Sequence, residues 1–313
     1  MTLNPTIKIP AGHKVAALAS SRTLLRHVLA SAKRHLTNQL DDPAAAPLAA
    51  RLDDPATLKK MVLIAHHDSV REKISEIYLA AIKRCLVTVH ADTLHQLGKT
   101  GASVKLVKPV KNTTPAMMDF PFDLANFSRM FFGEMRTAGA AALQQSGESR
   151  AAELGLDPDE FETDHGIAKK FLIERENKLK DVPQDIYDRV KAALEAGTNA
   201  GETEKQLAGR VATELGDYET GNAQTIARTE TASAYGTASQ DAIEQAGFKF
   251  KSWLTADDGR VRTSHQMCED QGPIPLEDSF SNGLDFPGDP EGEADEVINC
   301  RCVLQAEEDG GAE

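Results

Sequence analysis

Two short stretches hold most of the residues that could do chemistry. "SHQMC" (Ser264 to Cys268) is followed about thirty residues later by "INCRC" (Ile298 to Cys302), and three of the four cysteines in the chain lie in these two patches. If Thr263 caps a helix in a "TSHQ" capping box, His265 and Cys268 fall at i and i+3 and share a helical face. Read as part of a final strand "VINCRCVLQ", Cys300 and Cys302 fall at i and i+2 and share a sheet face with Ile298 and Leu304. One histidine with three cysteines is a legitimate structural zinc set. Geometry opposes a flat strand as its source. Residues i and i+2 on a strand are roughly 6.5 Å apart at Cα, whereas two thiolates on one zinc come within about 4 Å of each other. A bulge or a strand end would relieve this.

Two other readings stand beside zinc. One is a buried thiol pair under a loop-rich cover, with His265 hydrogen-bonded. The other is a Cys–His nucleophile, which needs a thiolate beside an imidazole. No Gly-rich phosphate loop, "HExxH" or oxyanion signature accompanies it. A disulfide within Cys-x-Cys would be strained, and a chain with few cysteines and no secretory h-region in "MTLNPTIKIPAGHK" reads as one for a reducing cytoplasm. The fourth cysteine, Cys85, lies on an apolar helical stripe with Val70, Ile74, Ile77 and Ala81 and reads as core filler. His66 and His67 are adjacent, diverge on a helix and receive no role.

Arg228 and Glu230 in "IARTETASA" lie two apart and diverge on a helix, so each would make its own ion pair. A catalytic Arg–Glu pair, as in an ADP-ribose transferase, is the functional alternative. Arg262 would brace the following turn through Asp257 or Glu230.

The elements that must position these groups follow from periodicity. Leu18, Leu25, Leu29, Leu36 and Leu40 predict a first helix, ended by "DDPAAAP". A longer one runs from about Pro55 to Leu97, with Asp54 as cap and Gly98 as stop. Basic, proline-broken sequence then predicts an arm, Ser103 to Val110. Its Lys105, Lys108 and Lys111 would either meet an acidic partner or stand in solvent. Further helices are expected at about Leu124 to Gln145, through "FETDHGIAKKFLIERENKLK", and through "DVPQDIYDRVKAALEAG" with Gly197 as stop. "TEKQ" (Thr203 to Gln206) is a capping box, followed by a stripe of Leu207, Val211 and Leu215. After another cap region, a helix carries Ala234, Ala238, Ala242 and Ala246 every four residues, a smooth ridge ended by Gly247. "FKFKSWL" alternates as a half-buried strand, with Phe248, Phe250, Ser252 and Leu254 on one side and Lys249, Lys251 and Trp253 on the other.

The fold expected is therefore α+β: a mainly helical region over residues 1–200, a small mixed α+β domain over 201–305, and an acidic disordered tail over 306–313. The chain has 313 residues, 41% of them hydrophobic and 5% aromatic, which suits helices packed through small side chains. A net charge of −13, from 48 acids and 35 bases, excludes a nucleic-acid sleeve along the whole chain. No run reaches the roughly 20 apolar residues of a membrane helix.

In order, the motifs "IARTET" on a helix, a strand ending "W…ADDGRVRTSH", a loop with Phe280 and Pro287, and "INCRCVL" resemble the phage Mu F-like minor head protein family. The resemblance covers about Leu207 to Leu304. It rests on Ala227, Arg228, Thr229, Glu230, Trp253, Asp258, Arg262, His265, Phe280, Pro287, Asn299, Cys300, Arg301 and Cys302. The family commonly has "H-x-x-L-D-G" after the histidine; here Cys268 replaces the apolar residue and two residues are inserted before Gly272. His265, Cys300 and Cys302 are then the family-like core of the set. The resemblance implies a non-enzymatic minor head protein of a tailed phage, in the procapsid and head interior after assembly in the host cytoplasm. It implies association with the portal and other head or scaffold proteins, in head morphogenesis or genome delivery. The helical region would be the partner-binding arm, DNA contact stays open through the lysines near Lys105, and no cofactor beyond structural zinc is expected. A head-packaged zinc-dependent or ADP-ribosyl-transferring enzyme is the alternative.

Overall fold

A computed structural model describes residues 55–100, 121–163 and 166–308. The expected first helix, the Asp54 cap, the arm with Lys105, Lys108 and Lys111, and the last five residues of the tail lie outside the described residues. The chain divides into two compact units, Met1–Glu72 and Lys73–Glu313. The described part of the first is the opening of helix α1 (Pro55–Thr100), which continues into the second. Gly98 does not stop this helix, which runs two residues past it. Ile74, Ala81 and Cys85 of the predicted stripe are buried, and burial pushes the Cys85 thiol up to about 12. It is core filler, not a nucleophile.

α2 (Leu124–Leu154) starts on Asp123, whose carboxylate accepts the Asn126 N–H at 3.0 Å, and ends on Gly155 at φ 80°. It extends well beyond Gln145. Gly147 lies inside it because the Phe161 ring occupies the space a Cβ would need. After a 3₁₀ turn (Pro158–Glu160) come α3 (Gly166–Leu179) and α4 (Val182–Asn199). Gly197 does not end α4. It lies within the helix, buried, with Leu207 and Glu202 against its Cα.

α5 (Glu204–Tyr218) opens with the predicted box: Thr203 and Gln206 bond each other reciprocally, and Leu207, Val211 and Leu215 are buried. The cap region expected before the next helix is absent. One π turn (Glu219–Ala223) carries the helix directly into α6 (Gln224–Gln245). Ala234, Ala238 and Ala242 of the alanine ridge are fully buried, and α6 packs mainly along α2. Ala138 and Ala142 of α2 are buried as well, and Gly139 lies against Phe171 and Leu172 of α3 and Tyr78 of α1. Gly247, at φ 81°, follows the helix end.

Strand β1 (Phe250–Leu254) is central in an antiparallel sheet of order β2–β1–β3, with β2 at Ile274–Pro275 and β3 at Val303–Glu307. Trp253 pairs with Leu304 and Lys251 with Ala306 across β1–β3. The buried side of β1 is the one carrying Lys251 and Trp253. Two short helices complete the unit: α7 (Thr263–Asp270) and α8 (Ala294–Val297). Ala306 and Glu307 belong to β3, so the sheet takes in the start of the expected tail.

The fold is α+β, mostly helical with a small three-stranded antiparallel sheet near the C-terminus. The division expected near residue 200 is not a division of the core. α2 lies before that position and α6 after it, yet they pack together, and the buried Arg150 of α2 donates to the Leu304 carbonyl of β3 at 3.0 Å. Among the described residues no helix is long and apolar enough to cross a membrane.

Candidate functional site

The two cysteines of "INCRC" stand immediately before β3, not on it. Asn299 adopts the left-handed region at φ 56°, and the Cys300 N–H closes a turn onto the Val297 carbonyl at 3.1 Å. That turn ends the short α8, and it supplies the departure from a flat strand that two convergent thiols need. Ile298 consequently points outward and is 40% exposed, while Leu304 is buried; they do not share a face.

His265 comes from the first turn of α7. Thr263 does not cap this helix: Arg262 occupies the cap position, with no side-chain capping bond. The imidazole is buried, with Nδ1 at 3.3 Å from Cys302 Sγ and 3.8 Å from Cys300 Sγ. His265, Cys300 and Cys302 bring their ligand atoms within 4.8 Å of one another. Cys268 does not join them. One helical turn beyond His265, its buried sulfur sits 3.5 Å from Ser281 Oγ, among Phe280, Ile274 and Leu276 of the apolar core. A common helical face was insufficient because the cluster lies at the N-terminal end of that face.

The far nitrogen of the imidazole, Nε2, is 2.9 Å from Glu296 Oε2, with the carboxylate off the N–H axis. Glu296 is in turn gripped by Ser264 Oγ at 2.9 and 3.0 Å and by Asn282 Nδ2 at 3.2 Å. Burial alone would raise the Glu296 carboxyl; the bonds from Ser264 and Asn282, with His265 beside it, hold it below its ordinary value. A hydrogen bond with Cys302 outweighs burial at Cys300 and, with His265, draws that thiol well below its ordinary range. Sequence reasoning missed Glu296. Its one signal is its place four residues before Cys300 in an acidic run that otherwise reads as solvated loop.

The surrounding motif residues hold the turn. Arg228, exposed on α6, donates from Nε to Asn299 Oδ1 at 2.9 Å, and the Asn299 N–H donates to Thr229 Oγ1 at 3.2 Å. Arg262 pairs with neither Asp257 nor Glu230; its guanidinium donates to the Ile298 carbonyl at 2.6 Å. Arg301 grips Asp258 with two bonds of 2.5 and 2.6 Å, which ties the cysteine turn to the bend after β1. Trp253 lies edge-on to both His265 and Phe280, with centroids 5.0 and 5.1 Å apart, and closes the cluster from the sheet side.

Arg228 and Glu230 are not brought together. Glu230 is buried and forms a bidentate ion pair with Arg175 of α3, one bond being 2.8 Å. Arg228 makes no buried ion pair of the kind expected; its bonds go to Asn299 and Thr225. Sequence gave no sign of Arg175, which lies 55 positions away from its partner. The arrangement thus contains a buried His–Cys–Cys group able to hold a soft or borderline metal ion, surrounded by arginines bonded to the chain itself.

No curated protein and no solved structure matches the chain. Residues 184–305 match the model of the family described as phage Mu protein F like protein. The match starts within α4 and ends in β3, so it takes in α5, α6, the sheet and the whole cysteine turn. That span takes in the residues that hold the turn, and over it this chain is similar to the phage Mu protein F like family.

Proposed function

We propose that this chain is a structural minor head protein of a tailed phage. The similarity of residues 184–305 to the phage Mu protein F like family carries the reading, because that family points to phage head morphogenesis. In this reading the protein joins the procapsid during assembly in the host cytoplasm and stays in the head. There it contacts the portal protein and other head or scaffold proteins, and it takes part in genome delivery. The side chains support a building role. Glu230 is committed to Arg175, Arg228 to Asn299 and Arg301 to Asp258, so the charged motif residues fix the fold. The thiols of the cysteine turn are buried with His265.

Co-expression with the portal protein of the same phage, followed by affinity capture and size-exclusion chromatography, tests the reading. A complex is expected, and phage lacking this chain should yield heads that are missing, misshapen or non-infectious. Normal infectious heads without the protein, or turnover of a substrate by the purified chain, would overturn it.

A further inference from the structure

We propose that His265 Nδ1, Cys300 Sγ and Cys302 Sγ bind one zinc ion, with Glu296 as the carboxylate behind the histidine. The three donors are all buried and converge from two elements far apart in sequence. Tetrahedral zinc with Zn–S near 2.3 Å and Zn–N near 2.0–2.1 Å places sulfur and nitrogen ligands about 3.6 Å apart. The observed separations of 3.3 and 3.8 Å lie on either side of that value. Little movement is needed to seat the ion.

The second layer agrees independently. A metal-bound histidine commonly presents its other ring nitrogen to a carboxylate, which fixes the tautomer and orientation. Here Nδ1 faces the sulfurs and Nε2 lies 2.9 Å from Glu296, off the N–H axis, with Ser264 and Asn282 holding that carboxylate beside the ring. The thiolate–imidazole donor set suits zinc over the hard cations, which take oxygen. Among the described residues these three donors meet, and no fourth His, Cys, Asp or Glu joins the group. Cys268, bonded to Ser281, is not a ligand. The ion would tie α7 to the turn before β3 and close the C-terminal part around Trp253. This assignment does not depend on the role in heads.

The test uses the full chain, expressed with zinc supplementation and analysed for metal content. One zinc per chain is expected in the wild type and in Cys268→Ser, with at least a tenfold loss in His265→Ala and in the Cys300→Ser, Cys302→Ser double variant. Glu296→Gln should keep the stoichiometry but release zinc to a chromogenic chelator at roughly 10- to 100-fold lower chelator strength. If the ligand variants fail to fold, cobalt(II) titration of the apo wild-type chain decides. Thiolate-to-cobalt charge-transfer absorption saturating at one equivalent supports the site. Zinc well below one-tenth per chain without such absorption overturns it, as does equal zinc loss in Cys268→Ser.

Discussion

Lys251 is a lysine on the buried face of a central strand, and its removal should change how stability depends on pH. Its side chain is 0% exposed; Nζ donates to the Asp285 carbonyl at 2.8 Å and lies 5.6 Å from the centre of the Phe280 ring. Burial drives its pKa down to about 8 from 10.5, against the opposing pull of Asp285, Asp278 and Asp289. Below pH 8 the ammonium is charged in both folded and unfolded chains, and the full cost of burying it is present. Between about 8 and 10.5 the folded chain has lost the proton and the unfolded chain still holds it, so stability rises with pH. At ~1.4 kcal/mol per pH unit, that gain is about 3 kcal/mol. Lys251→Met has no such gain. It also leaves the Asp285 carbonyl without its donor, which costs ~1–3 kcal/mol at every pH. The baseline difference therefore depends on packing, but its change does not: wild type should gain about 3 kcal/mol over the variant between pH 8 and 10.5. Urea unfolding of both proteins at pH 7, 8, 9, 10 and 10.5 measures it, and groups common to both cancel. A difference constant to within 1 kcal/mol across that range would refute the argument.

Glu230→Gln should destabilise by about 3–5 kcal/mol in urea unfolding, because the buried Arg175 loses its counter-charge, while zinc content stays unchanged. Asp258 is held down to about 2: burial alone would raise it, but the Arg301 bonds and the Arg260 N–H prevail. Its folded pKa is depressed, so the stabilisation is present above about pH 4 and lost as pH falls through 2. Arg301→Ala should therefore cost about 1–2 kcal/mol at pH 7, after allowance for solvent screening, and close to nothing at pH 2; chemical denaturation at both pH values reads the difference. Gly236→Ala places a Cβ 2.2 Å from the Pro287 carbonyl oxygen. Overpacking of about 1–3 kcal/mol should exceed the helix-propensity gain of up to ~1 kcal/mol and lower the thermal midpoint by several degrees, measured by circular dichroism.

Local periodicity decided much of this fold. The Thr203–Gln206 box, the Leu207, Val211 and Leu215 stripe and the Gly247 stop depend on neighbours within about four residues and are present as read, as is the alanine ridge up to Ala242; Ala246 falls at the helix end and is only partly buried. The alternation of β1 is also present, although nothing local indicated that its buried side would carry a lysine. The order of motifs over residues 207–304 carried the family. Errors arose wherever a residue's role was set by a distant partner. Gly197 failed as a helix stop where Glu202, Leu207 and Arg210 fill the space beside it, and its helix runs on two residues; Gly98 also lies two residues inside its helix, with only ordinary contact to Glu204.

The site divides the same way. Sequence supplied a histidine and a Cys-x-Cys pair and the reason a flat strand could not bring two thiols together. Tertiary structure supplied the remedy, a left-handed Asn299 held by Arg228 and Thr229 from α6, about seventy positions away. It also separated Cys268 from His265 and put Glu296 behind the imidazole. Side-chain type and spacing along one element are local properties that sequence records. Which end of a helix face meets which turn depends on how α6, α7 and β1 pack, and that is settled only when the whole chain closes.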